Sequence, residues 1–271
     1  MNKWIWWIAG GVVILGGAGA LYYLRNAPPP VESVAVPVEP TPITSAPEAA
    51  AIQNPVPAAA PGDQALPSLA DSDKPLDDEL SKLLSMPLVE KLVRPEMLVR
   101  HIVATVDNLS RPRLPVGIRP VKPVTGQFAA TGDELHSTLN PSNYLRYAAY
   151  MQLVQKTDTR QLADLYFRYY TLFQQAYQDL GYPNGYFNDR LVATLDNLLA
   201  TPDPPATIEL VQPNVMYQFA DPELEKLSAG QKILLRIGPY NASLVKVKLR
   251  ELRALVAAKS GGSAVAATQQ P

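Results

Sequence analysis

The sequence predicts a mostly α protein with a single N-terminal transmembrane helix, a disordered proline-rich linker and one globular helical domain with one or two short β-hairpins. Three observations predict this organisation. Residues 4–24 form one uncharged apolar run, residues 25–75 are rich in Pro and Ala, and residues 76–258 carry repeated helical patterns. Residues 259–271 consist largely of Ser, Gly, Ala and Gln, and we expect them to form a disordered tail.

The apolar run at residues 4–24 matches a membrane-spanning helix, which needs about 20 apolar residues. All Trp residues of the chain lie at one end of the run, and Tyr22 and Tyr23 lie at the other, as expected of rings at two membrane interfaces. A cleaved signal peptide is the alternative, since residues 18–20 resemble a cleavage site. The apolar character continues past them until Arg25, which favours an uncleaved anchor.

The charges that flank the run predict its orientation. Lys3 and the terminal amine precede it, whereas Arg25 alone follows it. The positive-inside rule therefore favours a cytoplasmic N-terminus, so we expect the domain after the anchor on the opposite side of the membrane. The absence of Cys is compatible with an exported domain and equally with a cytosolic one.

The segment 25–75 shows no apolar periodicity that a fold would bury. A chain of this composition cannot offset its ordering entropy, so we expect disorder with polyproline II character. Two interpretations stay open: a tether that holds the domain away from the bilayer, or a linker with no specific length requirement. Its prolines are Pro28, Pro29, Pro30, Pro37, Pro40, Pro42, Pro47, Pro55, Pro57, Pro61, Pro67 and Pro75.

Apolar spacing, caps and helix-ending residues predict the helices of the domain. Asn140 is a predicted cap, and Gly181 with Pro183 ends a long aromatic helix. Asn188 is predicted to cap the helix that follows. The predicted helices are Leu76–Ser85, Pro95–Leu109, Pro141–Lys156, Arg160–Leu180, a helix from Asn188 to Ala200, and residues 240–258.

Shorter elements are predicted in the second half of the domain. Asp221-Pro222 begins a helical turn, and Ser228 with Gln231 matches a capping box before residues 233–237. Two hairpins are predicted from alternating residues on either side of turn residues. They comprise residues 127–130 with 135–139 around Thr131-Gly132-Asp133, and residues 208–212 with 215–219 around Pro213-Asn214.

No motif in the chain requires an enzyme. His101 and His136 are the only histidines and have no Cys partners, so we predict no metal site. The chain has neither a Gly-x-Ser-x-Gly turn nor a phosphate-binding loop, which argues against a nucleophilic serine and against nucleotide hydrolysis. We therefore predict no catalytic residue and no cofactor. A net charge of −1 disfavours nucleic acid as a partner.

A basic stretch is the first candidate binding surface. It includes Arg100, Arg111 and Arg113, which suit an anionic polymer or lipid headgroups. The competing interpretation is a solvated, salt-bridged helix face, because Glu96 and Asp107 lie four residues before Arg100 and Arg111.

Aromatic residues give two further candidate surfaces. Tyrosines cluster on the helices between residues 140 and 180, where they suit sugar or peptide recognition but are more typical of a core. The loop after these helices supplies the candidate residues Tyr182, Asn184, Tyr186 and Phe187, since loops held by rigid elements often bind partners. A tight connector is the alternative.

Several segments of the domain resemble one family when taken together. They are Val103–Leu109, Gly181–Pro183, Tyr217–Leu224, Lys232–Asn241 and Lys248–Arg253. Over roughly Leu76 to Leu255, the sequence resembles the proteobacterial domain-of-unknown-function family numbered 3014. The resemblance implies a bacterial envelope setting. With the predicted anchor and its orientation, we expect residues 4–24 in the inner membrane and a periplasmic C-terminal domain. It implies no reaction chemistry and no catalytic residue.

These observations lead to a functional hypothesis and one alternative. We expect a membrane-anchored envelope protein whose domain is a binding or scaffold module for a protein or a cell-envelope polymer. The alternative is a hydrolase-like envelope enzyme with a site of dispersed carboxylates and tyrosines. A deep pocket with converging carboxylates or a shifted pKa favours the enzyme, whereas an exposed groove favours the binding module.

Overall fold

The computed structural model describes residues 51–56, 66–133 and 136–261, with side chains described as far as residue 257. The predicted transmembrane helix at residues 4–24 and most of the predicted linker lie outside these ranges. Within the described ranges, no helix has both the length and the apolar character that crossing a membrane requires.

Three helices form the first part of the fold: α1 (Asp73–Leu84), α2 (Met86–Leu92) and α3 (Leu98–Leu109). Helix α1 begins before the predicted domain start at residue 76. Leu69 and Ser72, which precede it, are already buried. The folded part therefore includes the end of the predicted linker, because the apolar side chains there pack on the core.

Helix α3 begins at Leu98 rather than at the predicted Pro95. The preceding residue, Met97, has φ +50°, in the left-handed region that non-glycine residues seldom adopt. The carboxylate of Asp73 accepts hydrogen bonds from Met97 N at 2.6 Å and from Leu98 N at 2.7 Å. The carboxylate that caps α3 therefore comes from a residue distant in sequence. Local capping signals could not reveal it, and the predicted start of the helix was wrong.

A 3₁₀-helix (Pro141–Tyr147) leads into α4 (Ala148–Lys156), followed by α5 (Thr159–Arg168) and α6 (Tyr170–Asp179). The predicted cap is confirmed, since the Asn140 side chain accepts a hydrogen bond from Ser142 N. The predicted helix 160–180 is instead two helices, interrupted at Tyr169 with φ −91° and ψ 7°. Apolar spacing did not reveal this break, because both helices face the same core.

The remaining helices are α7 (Phe187–Leu199), α8 (Pro222–Lys226), α9 (Ala229–Arg236) and α10 (Pro239–Gly261). The predicted helical turn at Asp221-Pro222 is confirmed, with Asp221 as its N-cap, and Ser228 forms the predicted capping box. The predicted cap at Asn188 is wrong. Tyr186 occupies that position, and Asn188 lies buried inside the first turn of α7.

The two predicted hairpins form and join into one antiparallel sheet in the order β1-β2-β3-β4. The first turn was misplaced, since Thr131 and Gly132 belong to the first strand of the sheet. Its strands are β1 (Ala130–Gly132), β2 (Ser137–Leu139), β3 (Glu209–Val211) and β4 (Gln218–Phe219). The hairpins meet where β2 pairs with β3, with Ser137 opposite Leu210. The prediction of a mostly helical fold with short β-hairpins is thus confirmed. The sequence did not predict that the hairpins join into one sheet.

The main hydrophobic core lies between α1–α3, α5, α6 and the start of α7. Leu98, Val103 and Phe187 are each 1% exposed within it. Burying one such aliphatic or aromatic side chain contributes roughly 1.5–3 kcal/mol. This core lies directly beneath the loop between α6 and α7, so that loop rests on the best-packed part of the domain.

Candidate functional site

The loop between α6 and α7 is held on the aromatic core by a glutamine. Gln174 of α6 donates from Nε2 to Gly185 O at 2.8 Å and accepts from Phe187 N through Oε1 at 2.8 Å. The ring of Tyr182 stacks on Tyr177 with centroids 4.6 Å apart. These contacts fix both the backbone and an aromatic side chain, so the loop presents its polar groups in defined positions.

A buried carboxylate lies under one side of this loop. Asp107 of α3 is 4% exposed, with Oδ1 3.0 Å from Nε of Arg190 and Oδ2 2.9 Å from Nη2 of Arg111. The Tyr182 hydroxyl donates to Asp107 Oδ2 at 3.3 Å and accepts from Arg111 at 2.6 Å. We call these four residues the Asp107 cluster. It joins α3, the loop and α7 through one carboxylate.

The electrostatics of the Asp107 cluster favour a fixed ion-pair network. The carboxylate of Asp107 raises the pKa of the Arg111 guanidinium, so that group stays charged. Outside the cluster, burial raises the pKa of Tyr177, whose ring stacks on Tyr182, and nearby Asp107 adds to the shift. A permanently charged guanidinium is a poor proton-transfer group near neutral pH. The ion pairs of the cluster therefore position the loop.

The opposite side of the loop region holds a segment from far earlier in the chain. Asp189 accepts a hydrogen bond from Gln53 N on Oδ2 at 3.0 Å and one from Asn54 N on Oδ1 at 2.6 Å. The Asn54 side chain also donates to Asp189 Oδ1, at 2.8 Å. One carboxylate thus binds two consecutive backbone N–H groups and a side-chain amide.

Two further residues complete this contact. Asn188 Nδ2 donates to Asn54 O at 2.9 Å, and the Tyr186 hydroxyl accepts from Val56 N at 2.5 Å. Asn188 is fully buried, and its Oδ1 accepts from the Tyr166 hydroxyl at 2.9 Å, which fixes the direction of its amide. We call Tyr186, Asn188 and Asp189 the segment site. It binds residues 53–56 mainly through their backbone.

The structure distributes the predicted site residues over different environments. Arg111 and Tyr182 belong to the Asp107 cluster, and Tyr186 belongs to the segment site. Arg100 forms an ion pair with Asp179 at 3.0 Å. The basic stretch is therefore partly neutralised. The predicted Asp107–Arg111 pair is confirmed, whereas Arg100 pairs with Asp179 rather than with the predicted Glu96.

Besides Arg100, three predicted residues contribute to neither the Asp107 cluster nor the segment site. Arg113 and Asn184 are exposed. Phe187 is 1% exposed, and its ring is nearly parallel to that of Phe173 at a centroid distance of 5.9 Å. Phe187 therefore supports the loop from inside the core and offers no surface to a partner.

Sequence reasoning did not find Asn188, Asp189 and Arg190 as site residues, and it treated Asp107 only as an ion-pair partner. The run of polar residues at the start of a helix was a usable signal for the first three. Nothing in the sequence near residues 53–56 indicates that they bind there, because their partners lie more than a hundred residues away.

A second concave feature lies between α1, α2 and α3. This cavity has a volume of about 680 Å³, and its lining includes Asp77, Glu90, Arg94, Glu96 and His101. His101 is 8% exposed, and its Nδ1 has no hydrogen-bond partner in the part of the chain that the structure describes. In that same part, no cluster of three or more His, Cys, Asp or Glu side chains could hold a metal ion.

Together, the fold and its loop define a mostly helical domain with a small antiparallel sheet and a surface that binds residues 53–56. Residues 98–253 match the model of the family described as "Protein of unknown function (DUF3014)", so the chain belongs to that family. This confirms the resemblance predicted from the sequence. Comparisons with curated proteins and with solved structures found no match. The Asp107 cluster and the segment site lie within the matched residues, whereas residues 53–56 do not.

Proposed function

We propose that this protein is a membrane-anchored module of the bacterial envelope that binds a protein partner at the segment site. One observation supports this most directly: three side chains at the start of α7, those of Tyr186, Asn188 and Asp189, hold a short segment mainly through its backbone. Recognition of main-chain groups, with a pocket or acceptor for selected side chains, is a recurring way of binding peptides. The anchor and the periplasmic location belong to the proposal and rest on the sequence of residues 4–24.

The contacts favour a polypeptide over a glycan as the partner. Asp189 and Tyr186 accept from N–H groups of three residues along one chain. A carboxylate that accepts consecutive backbone N–H groups matches the spacing of a peptide, and each such charge-assisted hydrogen bond contributes about 1.5–3 kcal/mol. This small set of contacts suits a reversible interaction.

Site-specific photocrosslinking in intact cells tests this proposal. A photoreactive phenylalanine analogue at Tyr186 of the full-length chain is expected to form protein adducts. The same analogue at Tyr240, which is 72% exposed on α10, is the matched control. Adducts at position 186 that disappear in Asp189→Ala would support the proposal. Equal adducts at both positions, or none at 186, would contradict it.

The orientation of the anchor needs a separate measurement. We expect a reporter enzyme that works only in the periplasm to be active when fused after Pro271. A reporter that works only in the cytoplasm should be inactive at the same position. Activity only from a cytoplasmic reporter would place the domain inside the cell and would contradict the envelope setting.

A hydrolase is the second candidate function, because the 680 Å³ cavity brings carboxylates and a buried histidine together. It predicts that the full-length protein turns over an envelope polymer. Glu90→Gln and Glu96→Gln would lower that turnover, whereas Asp203→Asn, at an exposed position elsewhere, would not. Turnover that is the same in all three variants would exclude this cavity as its source.

A further inference from the structure

We propose that the segment site selects an Asn-Pro-aliphatic sequence in a polypeptide partner, and that residues 53–56 occupy it as an intramolecular competitor. This inference rests on the proposed function, because it states what the same site recognises and what controls access to it. The partner is then a polypeptide that carries this sequence and displaces the chain's own segment.

The asparagine is the residue of the segment that the site contacts through the most groups. Asn54 contacts Asp189 through both its backbone N–H and its side-chain amide, at 2.6 and 2.8 Å. Its carbonyl oxygen accepts from Asn188 on the other side. An aspartate at this position would place a carboxylate against the carboxylate of Asp189. Glutamine would extend the amide beyond the observed geometry, so the site distinguishes Asn from its nearest analogues.

The proline fits because the site requires no donor at its position. The backbone N–H groups of residues 53, 54 and 56 are bound, and residue 55 is a proline, which has no N–H. Its restricted φ angle also reduces the conformational entropy lost when the segment becomes ordered. A proline at either neighbouring position would remove a bound donor.

The aliphatic residue follows from the core beneath the loop. Val56 packs against the main hydrophobic core as a partly buried side chain. Its N–H donates to the Tyr186 hydroxyl, so its side chain and backbone are fixed together. A polar residue here would lose the apolar contact without gaining a partner.

Competition follows from the covalent link between the segment and the domain. A segment tethered by a short linker has an effective concentration in the millimolar range, so a free peptide with identical contacts competes poorly. A partner therefore needs additional contacts, a high local concentration or weakening of the intramolecular contact. The full-length chain is then largely closed to free peptides.

Peptide binding by the purified full-length protein tests this inference. The probe is a fluorescently labelled synthetic peptide of residues 51–56, followed by fluorescence anisotropy. Asn54→Asp in the protein releases the internal segment by charge repulsion, so the peptide should bind this variant at least about tenfold more tightly than the unmodified chain. Gln53→Ala is the matched control, because Gln53 contacts Asp189 through its backbone N.

Each outcome has a defined meaning. Tighter binding to Asn54→Asp, lost when Asp189→Ala is added, supports the inference. Equal binding to the unmodified chain and to Asn54→Asp overturns the competition and leaves the proposed function standing. Equal binding of a scrambled peptide overturns the sequence preference. Binding to none of the proteins, or undiminished binding to Asp189→Ala, overturns both this inference and the proposed site.

Hydrogen exchange provides a second readout that does not depend on a variant's fold. In the unmodified full-length chain, the amides of Asn54 and Val56 are expected to be protected. Excess peptide should lower their protection and leave that of α3 unchanged. If the peptide saturates the site and the protection of Asn54 and Val56 does not change, the competition is overturned.

Discussion

Asp107 and Asp189 lie on either side of the same loop, and both accept several hydrogen bonds, yet their structural roles differ. Asp107 is 4% exposed and is bound by the guanidinium groups of Arg111 and Arg190. Asp189 is only partly buried and is bound by neutral backbone and amide groups of residues 53 and 54.

The difference shows how a partner's charge and burial decide a carboxylate's role. A buried ion pair cannot exchange partners without leaving an uncompensated charge, so the Asp107 cluster fixes the loop. Neutral N–H donors at a half-exposed carboxylate can be replaced by those of another peptide or by water. Asp189 is therefore suited to reversible binding, and the two carboxylates predict different responses to mutation.

The largest effect is expected from removal of the buried carboxylate. Asp107→Ala leaves Arg190, whose side chain is 25% exposed, without its ion-pair partner. Breaking a fully buried pair costs about 3–5 kcal/mol. Because Arg190 and Arg111 both keep part of their contact with water, we expect a loss near the lower end of that range, about 3 kcal/mol, in the free energy of unfolding. Urea denaturation measures it. Asp196→Ala is the control, because its partner Arg253 is exposed and such pairs contribute about 0–1 kcal/mol. A loss below that of Asp196→Ala would contradict the proposed difference in roles.

Removal of the other carboxylate should affect binding more than folding. Asp189→Ala removes the acceptor for two backbone N–H groups, and we expect a loss of about 1–3 kcal/mol in the docking of residues 53–56. Hydrogen exchange at Gln53 and Asn54 should become fast, while the urea midpoint of the domain changes less than in Asp107→Ala. Unchanged exchange at these amides would show that Asp189 is not their essential acceptor.

Alkaline pH should destabilise the domain, because the buried phenols beneath the segment site are stable in the fold only while they are protonated. Burial raises the pKa of Tyr166 and Tyr170 above the ordinary value of 10.0. The unfolded chain loses these protons at lower pH than the folded one. The contribution of the two tyrosines to the free energy of unfolding is therefore fully present below about pH 10 and falls as pH rises above it. The loss is at most about 1.4 kcal/mol per pH unit for each tyrosine. Urea denaturation from neutral pH to about pH 11 should show a smaller loss in Tyr170→Phe. An equal loss in that variant would exclude Tyr170 as a source.

The smallest effect is expected at the edge of the segment site. Tyr186→Phe removes the hydroxyl that accepts from Val56 N and keeps the ring that packs against Tyr170 at a centroid distance of 5.7 Å. Docking of the segment should weaken by about 1 kcal/mol, with faster exchange at Val56 and little change at Asn54. Peptide binding to this variant should fall only severalfold. Faster exchange throughout residues 53–56 would show that the segment docks as one cooperative unit.

Local signals predicted much of the fold and little of the candidate site. The caps at Asn140 and Ser228 and the helical turn after Asp221 depend on neighbouring residues, so the sequence placed them correctly. The start of α3 and the break at Tyr169 depend on distant packing, and both were misplaced. Tyr182 and Tyr186 were selected because they lie in an aromatic loop, yet they belong to two different groups of contacts.

The sequence by itself determined the helical class, the short hairpins, most caps and the family, because these follow from periodicity and from residues close together in the chain. Only the tertiary structure decided which of two nearby carboxylates is buried between arginines and which one binds a segment. It also joined the hairpins into one sheet and placed residues 53–56 against the start of α7. The physical reason is the same in each case. These contacts form between residues far apart in sequence, where burial and the geometry of hydrogen bonds, rather than local propensity, select the partner.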